Sequence, residues 1–321
     1  WQLYLKTLIL IPSAVVLYLV LLNVSVVTVI GIALSALLGF ILACIGFNVM
    51  HDACHGAYSS KKWVNELLGL TLNALGGNAF IWKQKHNVVH HTYTNIEGID
   101  DDIAKSPVIR QCHTQPWKPF HRIQHIYLPI IYSISSVSWV FVFDMIKYGR
   151  QRIHNTELQK MYLKDHIVFW VSKVLYVIFY IIIPVSAVGW QKWFIGFTSM
   201  HIVMGLTLAL VFQLAHVVEE TEFKIVGKDE MRIENEWAIH QVQTTADFAP
   251  YNKAISWFLG GLNYQIEHHL FPRISHVHYP AISRIVKEHC NEFGIVYRQI
   301  PSIGTAISSH FRFMYTLGQR P

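Results

Sequence analysis

The chain has 321 residues, of which 52% are hydrophobic and only 14% are charged, a balance that does not fit the surface of an ordinary soluble protein of this length. The net charge of +6 could indicate nucleic acid, but no basic run is interleaved with aromatic residues, and Lys and Arg fall mostly between apolar stretches. A nucleic-acid partner is therefore excluded, and a lipid bilayer is the predicted solvent for much of the chain.

Histidine and cysteine usage narrows the chemistry. The 19 histidines lie in clusters along the chain rather than in a tag, and a surplus of this size predicts metal binding. The four cysteines show no CxxC pairing, so neither a disulfide framework nor a zinc ribbon is predicted. The chain begins at Trp1 without a methionine, so its natural N-terminus is expected to lie further upstream.

Four apolar stretches have the length that crosses a hydrocarbon core, which is about 20 residues. The first two, at about 3–22 and 26–48, are separated only by Asn23 to Ser25 and predict a hairpin. The second two, at about 167–188 and 193–215, are separated by a short Gly-Trp-Gln-Lys link and predict another hairpin.

A fifth apolar segment, at about 126–143, is predicted to be an interfacial helix, because a crossing there would place the later histidines on the opposite side of the membrane from the earlier ones. The side of the membrane is predicted from the basic residues. The hairpin turns hold only Lys192, whereas the sequence between the hairpins holds Lys61, Lys62, Lys83, Lys85, Arg110, Lys147, Arg150 and Arg152. The segment between the hairpins is therefore expected to be cytoplasmic.

Three histidine clusters follow the apolar stretches. His51 and His55, at the end of the second stretch, are four residues apart and would share one face of a helix. His86 and His90 repeat this step, and the adjacent His91 would point about a quarter turn away, so that one helix could serve two metals.

The third cluster contains the adjacent pair His268 and His269, with Gln265 three residues before the first of them. The Gln265 amide could bind metal directly or through water, or hydrogen-bond a ligand. His216, at the end of the fourth apolar stretch, is a further candidate ligand, since a polar side chain there needs a partner.

Eight imidazoles suit iron, copper, nickel or zinc by donor type alone. Their number exceeds the three or four ligands of a zinc site and is sufficient for two ions. The Glu-x-x-His pattern of soluble di-iron bundles and the HExxH pattern of zinc hydrolases are both absent from the sequence. We therefore predict a site for two iron ions in an all-α integral membrane protein, a single domain over 1–321, with four transmembrane helices in two hairpins and a cytoplasmic helical cap.

The sequence resembles the front-end branch of the membrane fatty acid desaturases, most closely the bacterial acyl-lipid Delta-6 type. The motifs that carry the resemblance occur in family order: HDACHGAYSS from His51, WKQKHNVVHHTYTN from Trp82, LAHVVEETEF from Leu214, EWAIHQVQTTADFA from Glu236 and GGLNYQIEHHLFPRISHVHYP from Gly260. The resemblance covers most of the chain.

The resemblance implies that two irons are bound by His51, His55, His86, His90, His91, His216, His268 and His269. It also implies that Gln265, in the place of a histidine found in other branches, marks an enzyme that uses O2 to insert a cis double bond on the carboxyl side of an existing one. The implied substrate is a fatty acyl chain, held on a lipid or on CoA.

Residues around the predicted ligands receive provisional roles. Asp52, Asn263 and Glu267 are expected to accept the second ring N–H of ligating histidines. His240, His276 and His278 are left outside the ligand set. The acidic run Asp100 to Asp102 is expected to be an exposed charge run, although it could hold a basic residue near the site.

The chain has no HPGG haem motif, so electrons are expected from a separate ferredoxin or cytochrome b5-type donor, and the bacterial inner membrane is the predicted location. Two alternatives stay open. A membrane hydroxylase or sphingolipid desaturase of the same di-iron superfamily would use similar histidines. A non-catalytic membrane metal carrier would instead place its ligands along a path inside the spans.

Overall fold

The structure is a computed structural model that describes residues 1–23, 28–103, 107–225 and 236–320. In chain order the helices are α1 (Gln2–Asn23), α2 (Val29–His55), α3 (Lys62–Gly69), α4 (Thr71–Ala74), α5 (Ala79–Lys83), α6 (Pro119–Ser133), α7 (Ser135–Arg150), α8 (Leu163–Val188), α9 (Trp190–His216), α10 (Trp237–Thr244), α11 (Lys253–Phe258), α12 (Gln265–Leu270), α13 (Tyr279–Glu292) and α14 (Ile303–Gly318). The predicted helical class is confirmed.

The described residues also form three short strand pairs. β1 (Ile96–Glu97) pairs in parallel with β4 (Lys224–Ile225), and β5 (Asp247–Phe248) pairs in parallel with β6 (Gln299–Ile300). β2 (Arg152–Ile153) and β3 (Thr156–Glu157) form an antiparallel hairpin. The two parallel pairs join segments that are far apart in the sequence, whereas β2 and β3 are a local hairpin.

Four helices are long and apolar enough to cross a membrane, as predicted. They are α1 with 22 residues, α2 with 27, α8 with 26 and α9 with 27. At 1.5 Å per residue, α2 and α9 each rise about 40 Å, which exceeds a hydrocarbon core of about 30 Å. Each of these helices is therefore longer than the core is thick, and His51, His55 and His216 lie at the C-terminal ends of the two helices. Of the predicted first turn, Asn23 to Ser25, only Asn23 lies within the described residues.

The apolar segment predicted as interfacial forms the bent pair α6 and α7, whose axes differ by 61°. By length and composition the pair could also be a fifth span, so the interfacial placement stays a prediction. The bend lies against α9, where the Ser135 hydroxyl donates to the Gly205 carbonyl at 3.2 Å.

Four helical segments contain π turns, which sequence periodicity did not predict. They are Gly46–Met50 just before His51, Gln84–His90 through the second histidine cluster, Trp139–Phe143 and Ile178–Ile182. His86 and His90 therefore lie on a π turn rather than on the regular α-helix that their spacing predicted. Such turns occur frequently at functional sites.

The chain divides into two compact units. The first, which we call the span unit, comprises 1–82, 130–151 and 158–209, and the second, which we call the histidine unit, comprises 83–129, 152–157 and 210–321. The single domain expected from the sequence stays a prediction.

Polar groups inside the span unit are paired. Lys173 of α8 donates to the carbonyls of Gly76 and Val140 at 2.7 Å each and to Asp144 Oδ2 at 3.0 Å. His201 of α9 lies between the hydroxyls of Ser136 and Tyr176, at 2.9 and 2.8 Å. Unpaired polar groups are costly in hydrocarbon, so these contacts fix how α7, α8 and α9 pack.

Gly205 provides a test of this packing. A Cβ atom at Gly205 would lie 2.6 Å from the carbonyl oxygen of Tyr132 and 2.7 Å from that of Ser133, so Gly205→Ala forces α9 away from the bend. We expect a lower melting temperature in detergent, measured by a thermal shift assay. Gly149→Ala is the control, because its Cβ meets nothing within 4 Å and alanine favours a helix. Equal or higher melting temperatures for both variants would contradict the close contact.

Candidate metal centre

Seven of the predicted site residues lie together in the histidine unit. His86 and His90 come from the π turn that continues α5, His91 follows it, His216 ends α9, and α12 supplies the remaining three, Gln265, His268 and His269. All seven are at most 6% exposed. The segment from His86 to His91 lies more than a hundred residues before His216 and α12 in the sequence, so the site forms only when the unit folds.

The imidazoles form two overlapping groups. His90, His216 and His269 have ring centroids 4.7 to 5.0 Å apart, and each offers a nitrogen within 4.8 Å of the others. His91 and His268 form the second group with the same His269, and the His91 and His269 rings stack at 4.3 Å. Two neighbouring groups with a common member have the arrangement that a two-metal site requires.

A third group overlaps the first. His86 and His90 have stacked rings with centroids 5.2 Å apart, and Asp102 offers a carboxylate oxygen within 4.8 Å of their nitrogens. Asp102 also accepts from Lys85 at 2.5 Å, so part of its charge is compensated.

The donor set fits a bound cation. His90 Nε2 is buried and has no hydrogen-bond partner in the part of the chain that the structure describes. Such an atom is rare in a folded protein unless a ligand satisfies it. Burial opposes a charge on His90, but Asp100 and Asp102 outweigh it and raise its pKa. The same carboxylate field that favours a protonated imidazole also favours a metal cation beside it.

Asp100 orients His90. The His90 Nδ1–H donates to Asp100 Oδ2 at 3.0 Å, which leaves Nε2 for a metal. The carboxylate itself is fixed by the backbone N–H groups of Asn95 and Asp102, at 3.0 and 2.9 Å. Asp100 is fully buried, so the expectation of an exposed charge run is wrong for this residue.

Gln241 orients His269 and supports a second histidine. Its Oε1 accepts from His269 Nδ1 at 2.8 Å and from the Thr94 hydroxyl at 2.9 Å, and its Nε2 donates to the His91 carbonyl at 3.2 Å. His268 has a comparable neighbour, since its Nδ1 lies 3.2 Å from the Tyr279 hydroxyl. Sequence reasoning missed these partners, and the only signal was that Gln241 follows His240 within a quoted family motif.

Asn95 joins the segments that carry the ligands. Its backbone has a positive φ of 53°, and its buried amide Nδ2 lies 2.8 Å from the carbonyl of His216 and 3.2 Å from those of Glu222 and Thr244. This contact fixes the end of α9, and therefore His216, against the loop that follows the second histidine cluster.

The histidines left outside the ligand set have other places. His240 is fully buried, its Nε2 is 2.9 Å from the Thr94 carbonyl, and it belongs to none of the groups above. His276 and His278 form a 3-10 turn that precedes α13.

Two of the predicted supporting residues, Asn263 and Glu267, form hydrogen bonds with groups other than histidine rings. Asn263 donates to the Ser256 hydroxyl at 3.0 Å, and Glu267 interacts with Tyr297 rather than with a ring N–H of a histidine. Gln265 Nε2 donates to the Leu262 carbonyl at 2.8 Å, so its Oε1 is the atom available to a metal or to a ligand's N–H.

A buried clasp holds α12 in place. Asp247 Oδ1 accepts from the backbone N–H of Ile266 at 3.1 Å, and the Tyr297 hydroxyl donates to Asp247 Oδ2 at 2.5 Å while lying 3.0 Å from Glu267 Oε1. Burial raises the pKa of both carboxyl groups, and the neighbouring Asp247 raises that of Glu267 further. One proton is therefore retained between them, which avoids two buried negative charges.

His51 and His55 lie in the span unit at the end of α2, on one helical face as predicted. Their ring centroids are 4.7 Å apart, and both rings pack edge-on against Trp82, at 5.7 and 5.9 Å. Asp52 Oδ1 is 3.9 Å from His51 Nδ1, which is longer than a hydrogen bond.

Comparisons with known proteins identify the family of the chain. The family model described as fatty acid desaturase matches residues 25–301, and the chain belongs to that family. The resemblance noted from the sequence is confirmed, and the chain is a desaturase enzyme of lipid metabolism.

Several curated relatives cover most of the chain. An sn-1 linoleoyl-lipid 6-desaturase of Arthrospira platensis is 38% identical over 88% of this chain and 77% of the relative. An sn-1 linoleoyl-lipid 6-desaturase of Synechocystis is 34% identical over 99% of this chain and 89% of the relative. An acyl-lipid (8-3)-desaturase of Physcomitrium patens is 36% identical over 88% of this chain and 59% of the relative.

The hydrogen bond between Asp100 and His90 predicts an effect on metal retention. Asp100→Asn keeps the shape but removes the charge, and changes to such supporting residues typically weaken metal affinity about 10–100-fold. The amount of bound metal per protein, measured by elemental mass spectrometry after dialysis against increasing chelator, should fall at a lower chelator concentration in this variant than in the wild type. Glu157→Gln, an exposed carboxylate on β3, is the control. Equal retention by both variants would show that Asp100 does not support the site.

The clasp predicts a loss of stability. Tyr297→Phe removes the hydroxyl that donates to Asp247, and leaving a buried acceptor unpaired costs about 1–3 kcal/mol. We expect a lower melting temperature, whereas Tyr315→Phe, at a half-exposed tyrosine on α14, should leave it unchanged. If Tyr297→Phe had the same melting temperature as the wild type, the Tyr297 hydroxyl would not contribute to stability.

Proposed function

We propose that this desaturase uses O2 to insert a cis double bond on the carboxyl side of an existing one, at a Delta-6-like position, in a fatty acyl chain held on a membrane lipid. The observation that carries the proposal is the buried cluster of six imidazoles, with His269 common to two groups, in a chain whose relatives are named linoleoyl-lipid 6-desaturases. The names of those relatives favour a lipid-linked substrate over acyl-CoA.

The proposed centre holds two iron ions. The ligands would be His51, His55, His86, His90, His91, His216, His268 and His269, with Gln265 as a further candidate. Bound iron, once reduced, would activate O2, which would accept the two hydrogens removed from adjacent methylenes. The histidine groups within 4.8 Å support a metal, and family membership supports iron.

The chain's own residues have separate tasks in this proposal. Asp100 and Gln241 fix the tautomers of His90 and His269, so that each ring presents Nε2 to the metal. The six ligand histidines of the histidine unit are at most 6% exposed, and this burial would exclude bulk water, which would otherwise quench the oxidant. We propose that Asp52, Asn263 and Glu267 support the ligand-bearing helices rather than touch substrate.

The proposed setting is a bacterial inner membrane. The four spans would form two hairpins, with the active site in a helical cap on the cytoplasmic side and the 126–143 segment at the interface. The excess of basic residues between the span pairs supports this sidedness. Two electrons per turnover would come from a separate ferredoxin or cytochrome b5-type donor, and together with two from the substrate they reduce O2 to two waters.

Product analysis tests the proposal directly. The chain is expressed in a host fed linoleic acid, and fatty acids are analysed by mass spectrometry with double-bond localisation. We expect a new carboxyl-side double bond with the wild type, loss of product to background with His268→Ala, and unchanged product with His278→Ala, whose exposed side chain lies outside the ligand groups. A hydroxylated product would favour the hydroxylase alternative.

The same cells distinguish the substrate carrier. After a short pulse of labelled linoleic acid, the new product should appear first in intact membrane lipids. Its earlier appearance in acyl-CoA would contradict the lipid-linked substrate while leaving the desaturase assignment in place.

A further inference from the structure

A cleft of about 360 Å³ lies in the span unit among the ends of the four long helices. Its walls include Tyr18 of α1, Ser35 of α2, Tyr180 of α8 and Met200 of α9. Ser35 and His51 are sixteen residues apart on α2, a rise of about 24 Å, so the cleft is at the opposite end of this helix from the first histidine pair. None of the proposed metal ligands lines this cleft, so the proposed reaction does not explain it.

The walls of the cleft are joined by hydrogen bonds. The π turn Ile178–Ile182 interrupts the regular α-helical hydrogen bonding of α8, and backbone polar groups need partners inside a membrane. The Tyr18 hydroxyl donates to the Phe179 carbonyl at 2.6 Å, and Trp193 Nε1 donates to the Tyr180 carbonyl at 2.8 Å. These hydrogen bonds connect α1 and α9 to α8, so they fix the helices that form the walls of the cleft.

Small residues close one side of the cleft. A Cβ atom at Gly196 of α9 would lie 3.0 Å from the Ser35 hydroxyl of α2, which shows that these two helices approach closely here. Close approach through Gly and Ser is the usual packing of membrane helices. A larger side chain at Gly196 would therefore project into the cleft.

The depth of the cleft matches one leaflet of a bilayer. The lining of α9 extends from Gln191 to Met200, a rise of about 14 Å, and one leaflet contributes about half of a hydrocarbon core of about 30 Å. Most of the lining is apolar, including Leu22, Ile32 and Leu38. An acyl chain of a lipid in that leaflet has the polarity and the length to occupy this space.

The charge at the mouth indicates the head group. Lys192 is the single charged residue among the described lining residues, it lies at the start of α9, and Gln191 is beside it. An ammonium at the membrane interface attracts an anionic head group. We propose that the cleft binds one anionic diacyl phospholipid, with an acyl chain between the helices and its phosphate at Lys192.

Native mass spectrometry of the full chain in a mild detergent tests the head group. Added phosphatidylglycerol should be retained as one copy at a concentration several-fold lower than phosphatidylethanolamine with the same acyl chains. Lys192→Gln should abolish this preference, whereas Lys164→Gln, at the start of α8 and outside the cleft, should keep it. Equal retention of the two lipids by the wild type would overturn the anionic assignment.

A filled cleft tests the location. Gly196→Leu should reduce retained phosphatidylglycerol at least tenfold, and Gly149→Leu, where a Cβ meets nothing within 4 Å, should not. If Gly196→Leu fails to fold, Leu22→Trp narrows the cleft from α1. Wild-type retention by a folded cleft variant, or several lipids bound alike by every variant, would overturn the proposal in favour of non-specific annular lipid.

Discussion

The histidine unit depends on one constraint, which is that six imidazoles must be buried with ring centroids about 5 Å apart and without mutual repulsion. Protonated imidazoles at such distances would repel one another strongly in a medium that screens charge poorly. Neutral imidazoles avoid repulsion, but a buried nitrogen such as His90 Nε2 then needs an electrophilic partner. A metal cation bound by several neutral rings avoids repulsion between the rings and gives each buried Nε2 a partner. The fold must then supply a separate hydrogen-bond partner for the Nδ1 of each ring.

The need for a hydrogen-bond partner at each Nδ1 explains many of the contacts around the histidines. Asp100, Gln241 and Tyr279 each lie beside the Nδ1 of a different histidine, and each is itself fixed by the fold. The short helix α12 could not hold two ligands by its own six residues, because helices of this length are unstable alone. The buried Asp247 on β5 and the half-buried Tyr297 just before β6 stabilise α12 with hydrogen bonds that its own short length cannot provide.

The sequence allowed prediction of the features that depend on local order. The four spans were predicted because hydropathy over twenty residues reports the solvent of a helix, and the ligand candidates were predicted because four-residue and adjacent spacings repeat. The π turn at Gln84–His90 was not predicted, since an extra residue in a helical turn leaves no periodic signal. Asp100 and Gln241 were missed because tertiary folding selects the partners of His90 and His269, and the latter pair is 28 residues apart. Glu267 was predicted to contact a histidine because it adjoins His268 in sequence. The orientation of α12 instead directs its side chain towards Asp247.

Histidine content has two explanations in this protein. Eight of the 19 histidines are predicted ligands, which leaves eleven that metal binding does not explain. Several of the others serve as buried hydrogen-bonding groups: His201 joins Ser136 to Tyr176, His310 contacts the Val217 carbonyl, and His240 contacts the Thr94 carbonyl. Burial lowers the pKa of His310 to about 4 and also lowers that of His240, so both are neutral near pH 7 and can donate or accept without the cost of a buried charge. The property that makes imidazole a ligand, a neutral ring with one donor and one acceptor, therefore also makes it a suitable cross-link in a low-dielectric interior.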